Sequence, residues 1–338
     1  MKILFIGGSG NISTACTRAA IAKGYEVYHL NRGQTNYHVI EGVKTLIADI
    51  NDKDQVEKAL KNYEFDVVAN FIAFKPSDVE RDIALFAGKI KQYVFISSAS
   101  AYQKPLANPV ITEGTPLKNP YWDYSRDKID CENRLMQAYR DIDFPVTIVR
   151  PSLTYEYVMP VAIGGWNDYT IVDRMKRGDK IIVHGDGSSL WTITHSEDFA
   201  KGFVGLLGHQ QAIGESFHIT SDEILTWDQI YQAIGEAVGV KPEIVHIASD
   251  FICQESEKID WIWMGGSFQR GNLLGDKAVS AIFDNSKIKS FVPEFKATIP
   301  FNVGIKKTIE WFEAEKSRMV VHADYNKFMD TIIEKYQR

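Results

Sequence analysis

The stretch KILFIGGSGNIS, residues 2–13, decides the fold. Ile3, Leu4, Phe5 and Ile6 form an apolar run without alternation, which suits a strand covered on both faces, as in a parallel sheet. The run passes directly into Gly7-Gly8-Ser9-Gly10, and a helical pattern over 11–23 follows. Glycines at that point let the backbone turn sharply and approach a pyrophosphate. The helix N-terminus then offers unsatisfied N–H groups and the positive end of its dipole. The spacing is Gly7-x-x-Gly10-x-x-Ser13, so a serine stands where a third glycine usually permits close helix packing. A strand, a glycine loop and a helix in this order predict a dinucleotide site in which Gly7, Gly10, Asn11 and Ile12 meet the cofactor.

Outward from this stretch, apolar runs and helical stretches alternate. Strand candidates are 2–7, 26–31, 43–49, 66–72, 92–98 and 146–151, and helix candidates lie near 11–23, 53–62, 78–88 and 122–140. The alternation predicts an α/β, Rossmann-type, doubly wound parallel sheet. After Pro151 the rhythm changes. Tyr, Met, Gly and Trp cluster over 155–169, followed by a helix at about 169–177, a strand at 181–185, a helix at 196–207, the strand GESFHI (214–219) and an amphipathic helix at 225–239. The expected division is a dinucleotide-binding domain over 1–151, completed by about 193–221. Residues 152–192 and 222–338 then supply a smaller, partly discontinuous α/β substrate-binding part and a C-terminal tail.

Composition narrows the function. The net charge is −6, with no long Lys/Arg run, which argues against a nucleic-acid partner. No apolar run reaches the roughly 20 residues that span a bilayer. The N-terminal run reads as a buried strand and not as a signal peptide, so a cytoplasmic protein is expected. Cys16, Cys131 and Cys253 are too far apart for a metal spacing or a disulfide framework, so neither is expected.

Four stretches carry candidate chemistry. YSRDK (124–128) sets Tyr124 and Lys128 one helical turn apart, where an ammonium would lower a phenol's pKa from about 10 toward neutrality. VFISSASAY (94–102) puts Ser97, Ser98 and Ser100 beyond the carboxyl end of a strand, where open parallel sheets bind ligands. The second strand ends at Asn31-Arg32 with no acid for a ribose 2′-hydroxyl, and Arg32 suits a 2′-phosphate instead. Asp49 and Ile50, after the third strand, are placed to flank the adenine, although Asp49 reads equally as a turn residue or N-cap.

Together these pieces resemble the extended short-chain dehydrogenase/reductase superfamily, in its NAD-dependent epimerase/dehydratase branch. The resemblance rests on the glycine loop, ISSASAY, ITEGTPLKNPYWDYSRDK (111–128), Arg150-Pro151, Gly185-Asp186-Gly187, THSEDFA (194–200) and GESFHI. It implies catalytic roles for Tyr124, Lys128 and Ser98, with Ser100 as runner-up, and a cofactor set that includes Ala73, Tyr124, Lys128 and Pro151. The resemblance implies a nicotinamide cofactor, and Asn31-Arg32 favours NADP over NAD unless Arg32 is only an exposed loop arginine. The implied substrate is a sugar or nucleotide sugar and the implied assembly a homodimer. Two departures stand out. The family's RP-x-x-x-YGP becomes Arg150-Pro151-Ser152-Leu153-Thr154-Tyr155-Glu156. The arginine that often holds a nucleotide-sugar diphosphate is replaced by Trp191. No further acid–base pair beyond Tyr124 is evident, although Glu113 and Asp123 lie near, so dehydration is not expected. Redox epimerisation, NADPH-dependent reduction of a small carbonyl compound and cofactor binding without turnover remain open.

Overall fold

The computed structural model describes residues 1–33 and 40–338. The first strand, β1 (Lys2–Ile6), accounts for the apolar run. Ile3 and Phe5 enter the core on one side of the sheet, and Leu4 and Ile6 enter it on the other. β2 (Glu26–Asn31), β3 (Lys44–Ile47), β4 (Val67–Asn70), β5 (Gln92–Ile96), β6 (Val146–Pro151) and β7 (Ser216–Ile219) complete a seven-stranded sheet. Its order is β7-β6-β5-β4-β1-β2-β3 and every pairing is parallel. The order reverses beside β1, and ligands bind at such a switch point.

The helices are α1 (Asn11–Ala22), α2 (Lys53–Leu60), α3 (Pro76–Phe86), α4 (Asp123–Ile142), α5 (Thr170–Arg177), α6 (Ser196–Leu206), α7 (Trp227–Ala237), α8 (Ser249–Ser256), α9 (Ser286–Phe291), α10 (Phe301–Glu313) and α11 (Ala323–Tyr336). α1 and α6 cover one face of the sheet through Ala15, Cys16, Phe199 and Phe203. α3 and α4 cover the other through Val79, Phe86, Cys131 and Leu135. A third buried cluster lies beyond β6, built from Tyr155, Ile171, Ile182, Trp227, Ile305 and neighbours. The three cysteines are buried free thiols. No helix among the described residues is long and apolar enough to cross a membrane.

Several elements differ from the sequence expectation. β4 stops at Asn70, short of the expected 72, because the Asn70 side chain turns down to donate to Asp82 and accepts the N–H of Ile72. The strand Glu243–Ile247 pairs in parallel with Lys180–His184, and its mostly exposed or half-exposed residues, without alternation, left no clear signal. Residues Arg270–Lys277 form a π-helix.

Candidate active site

The glycine loop is held from beneath. Gly7 has φ +77°, a left-handed conformation that favours glycine, and a side chain on Gly8 would come within 2.3 Å of the His29 ring. Gly10 differs, because an added Cβ would meet only the Ser13 hydroxyl, at 3.4 Å. Ser13, in place of the third glycine, ties the loop together. Its Oγ accepts the Gly10 N–H at 2.8 Å and donates to the Gly7 carbonyl at 2.8 Å. The Asn11 side chain is also committed, donating to the Thr154 carbonyl and accepting the Tyr157 N–H. Only the backbone of Asn11 is left to face a ligand. An open glycine at the N-terminus of α1, lining the cleft, fits a dinucleotide pyrophosphate.

Two cavities share Gly7, Gly10 and Ile72 and run along the carboxyl edge of the sheet. The one beyond β2 and β3, about 600 Å³, is lined by Asn31, Arg32, Asp49 and Ile50. Asp49 also caps its own turn by accepting the Asn51 N–H. Arg81 reaches the same cavity, held by Asn51, Asp78 and Asp82.

The second cavity, about 570 Å³, holds Ile12, Pro151, Ser98, Ser100 and Tyr124. Tyr124 opens α4, with its ring 5.0 Å from that of Trp122. Burial pushes its phenol up to about 12, a hydrogen bond with Ser98 pulls it down, and the charge of Asp276 pushes it up again. The sequence expectation of a phenol lowered toward neutrality is therefore corrected for this structure. The Lys128 ammonium is directed beneath the tyrosine, donating to the carbonyls of Ala73 and Ile96 at 2.7 Å each. It stands 5.8 Å from the Tyr124 ring centroid and is itself lowered to about 8 by burial. Ala73 and Lys128 thus lie behind the cavity wall, and the other expected site residues line one cavity or the other.

The two serines are distinguished by their partners. The Ser98 hydroxyl is the one that lowers the Tyr124 phenol, whereas Ser100 is buried and bonds Ser98 at 2.9 Å and Ser125 at 2.7 Å. Beneath them a buried ion pair joins Arg150 of β6 to Glu132 of α4 at 2.6 Å, and Ser97 donates to the same carboxylate. This pair fixes α4, and with it Tyr124, against the strand ends.

Residues 3–220 match the NAD dependent epimerase/dehydratase family. The chain belongs to that family. It is 23% identical to 2′-dehydrokanamycin reductase of Streptomyces kanamyceticus, over 78% of this chain and 74% of the relative. It is 27% identical to the chloroplast stem-loop binding protein of 41 kDa b of Arabidopsis thaliana, over 72% of this chain and 65% of that protein. Among solved structures, an epimerase from Methanothermobacter thermautotrophicus superposes with a TM-score of 0.74 at 16% identity, covering 94% of both chains.

In this family member, the tryptophans of the cavity wall are among the pocket candidates of the sequence reading, but its charged residues were passed over. Asp276 and Lys277, at the end of the π-helix, line the cavity with Trp122, Trp166, Trp191 and Trp263. The π-helix approaches closely because Gly271 and Gly275 face Trp122, and a Cβ on Gly271 would sit 2.4 Å from the indole. Asn119 joins the two sides by donating to the carbonyls of Ser100 and Gly275. No short-range pattern links 119 to 275, so only the fold reveals this wall. Trp191 is buried against Trp227, with ring centroids 5.8 Å apart.

Proposed function

We propose that this family member catalyses NADP(H)-dependent hydride transfer to or from a hydroxyl or carbonyl of a sugar-like substrate, as a redox epimerase. The observation that carries the reading is that Ser98 and Tyr124 line the aromatic cavity next to the glycine loop, with the Lys128 ammonium beneath the tyrosine ring. A nicotinamide, when bound, supplies the hydride chemistry. Tyr124 moves the proton at the substrate oxygen, and Ser98 bonds the same oxygen and steadies its developing charge. Lys128 uses two of its three donors on Ala73 and Ile96, which would leave the third for a ribose hydroxyl of the bound cofactor. Arg32 in the outer cavity, with Asn31 in place of an acid, supports NADP over NAD. Assembly as a homodimer belongs to the same proposal and rests on the family resemblance; sedimentation tests it.

A second reading, carbonyl reduction, draws support from the burial that keeps the Tyr124 phenol protonated, which favours proton donation. The name of the Streptomyces relative also denotes a reductase. Binding without turnover, which the name of the Arabidopsis relative suggests for nucleic acid, is opposed by the net charge of −6. Cofactor stoichiometry separates the first two. An epimerase interconverts substrate at constant NADPH absorbance, and a reductase consumes one NADPH per product. Tyr124→Phe is expected to lower turnover by about 10²–10⁴ with cofactor affinity unchanged. Normal turnover in that variant would refute both.

A further inference from the structure

The cavity that Tyr124 lines has little to offer a charged or many-hydroxyl ligand. Its charged lining residues, among those described, are Asp276 and Lys277, and they pair with each other at 3.0 Å with the lysine buried. The polar side chains around them spend their donors inside the protein. Ser97 donates to Glu132, Ser152 to the Thr192 carbonyl and Thr154 to the Ser152 carbonyl. The Asn272 amide donates to the Ala162 carbonyl and to Gln269. The indole N–H groups of Trp166 and Trp263 donate to the Val161 carbonyl and the Tyr325 hydroxyl. What these residues leave open is mainly ring surface. Trp263 is 56% exposed and Trp166 38%, and Trp122, Phe268, Val158 and Ala162 continue the apolar wall. Trp263 is braced by ring contacts with Phe268 at 4.7 Å and Tyr325 at 6.2 Å, so its neighbours hold it in place.

We infer that the substrate is uncharged and joins its reacting hydroxyl or carbonyl to a flat aryl body, which packs on the tryptophan wall while the oxygen meets Tyr124 and Ser98. The inference narrows the proposed reaction and rests on reading this cavity as its substrate site. Apolar surface removed from water drives association, and aromatic rings pair with indoles in offset or edge-on contact. A diphosphate brought into this cavity would shed its water without meeting a free cation. A bare polyol would give up the hydration of its hydroxyls without meeting enough donors. Each is a desolvation cost that the lining does not offset. An apolar hollow with a small number of placed polar groups selects by shape and ring character. The polar groups placed here are Ser98 and Tyr124, which leaves the rest of the ligand to the rings.

Titration calorimetry of the full chain tests this with pairs that differ only in the ring body. The pairs are 2-naphthyl β-glucoside against methyl β-glucoside, and 2-acetylnaphthalene against acetone. Ketones are titrated into the NADP⁺ form and glucosides into the NADPH form, so that no hydride moves. Glucose 1-phosphate and uridine diphosphate are the charged probes. In at least one pair the naphthyl member is expected to bind at least about tenfold tighter, which burial of a single aromatic ring suffices to supply. Its heat capacity of binding should also be the more negative. Trp263→Ala should cut the preference at least about threefold and Trp263→Phe should keep most of it. Unchanged NADP⁺ affinity shows that each variant is folded; if the alanine variant is not, the phenylalanine variant and the unmodified pairs decide. Equal affinities within both pairs, no saturable binding of either naphthyl member, tighter binding of a charged probe, or a full preference in a folded Trp263→Ala would each overturn the inference. Absence of the preference in a protein whose hydride transfer falls in Tyr124→Phe overturns this inference alone. A clear preference with turnover unaffected by Tyr124→Phe overturns the reading of the reaction alone.

Discussion

At the residue scale, the spacing of Tyr124 and Lys128 was legible in the sequence and their electrostatics were not. A four-residue step puts two side chains on one helix face, but it does not say what else surrounds them. Here the carbonyls of Ala73 and Ile96 draw the ammonium beneath the ring, while burial raises the phenol and lowers the lysine. The lysine has a stability consequence. Its pKa falls from the ordinary 10.5 to about 8 on folding, so between these values the unfolded chain binds more protons than the native one. Stability contributed at this site therefore rises with pH from about 8 to 10.5. Urea unfolding at pH 7, 8 and 9.5 should show Lys128→Met losing that rise relative to the unmodified protein; parallel curves would contradict it. Arg32 offers a second check. NADPH is expected to bind more tightly than NADH, with Arg32→Ala removing most of the difference in calorimetric titrations; equal affinities in the unmodified protein would contradict the assignment.

At the element scale, α1 to α4 and the sheet strands declare themselves through periodicity and through glycine or proline punctuation. The π-helix at 270–277 does not. Its five-residue hydrogen-bond step blurs the apolar period, and Gly271 and Gly275 are packing devices whose partner, Trp122, is far away in sequence. A methyl on Gly271 has no room beside that indole. Gly271→Ala is expected to displace Trp122 and with it the adjacent Tyr124 ring. Turnover should fall at least tenfold, while cofactor affinity, set on the far side of Tyr124, stays within about twofold. Loss of both together would place the π-helix in the cofactor site instead. The buried Glu132–Arg150 pair is a comparable case. Arg150-Pro151 was legible as a motif, but its partner on α4 became visible only once the helix was packed on the sheet.

At the scale of the whole molecule, three buried histidines set an acid limit. His29, His184 and His195 are each lowered from 6.5 to about 4, chiefly by burial. Between those values the unfolded chain takes up protons that the native rings refuse, so stability falls as pH drops from about 6.5 toward 4. Each site contributes up to about 3 kcal/mol of that loss. His184→Asn should flatten the pH dependence of the unfolding midpoint over this interval, and an unchanged slope would contradict the assignment. The sequence by itself determined the parallel sheet, the glycine loop at the head of α1 and the helix bearing Tyr124 and Lys128. Each of these is written in contiguous residues, as an apolar run, a turn or a helical step. Tertiary structure alone decided that the Ser98 hydroxyl acts on Tyr124 while Ser100 bonds Ser125, that the phenol is raised, and that Asp276 and Lys277 line the same aromatic cavity. Those facts depend on desolvation and on contacts between residues as far apart as Asn119 and Gly275, which no local pattern encodes.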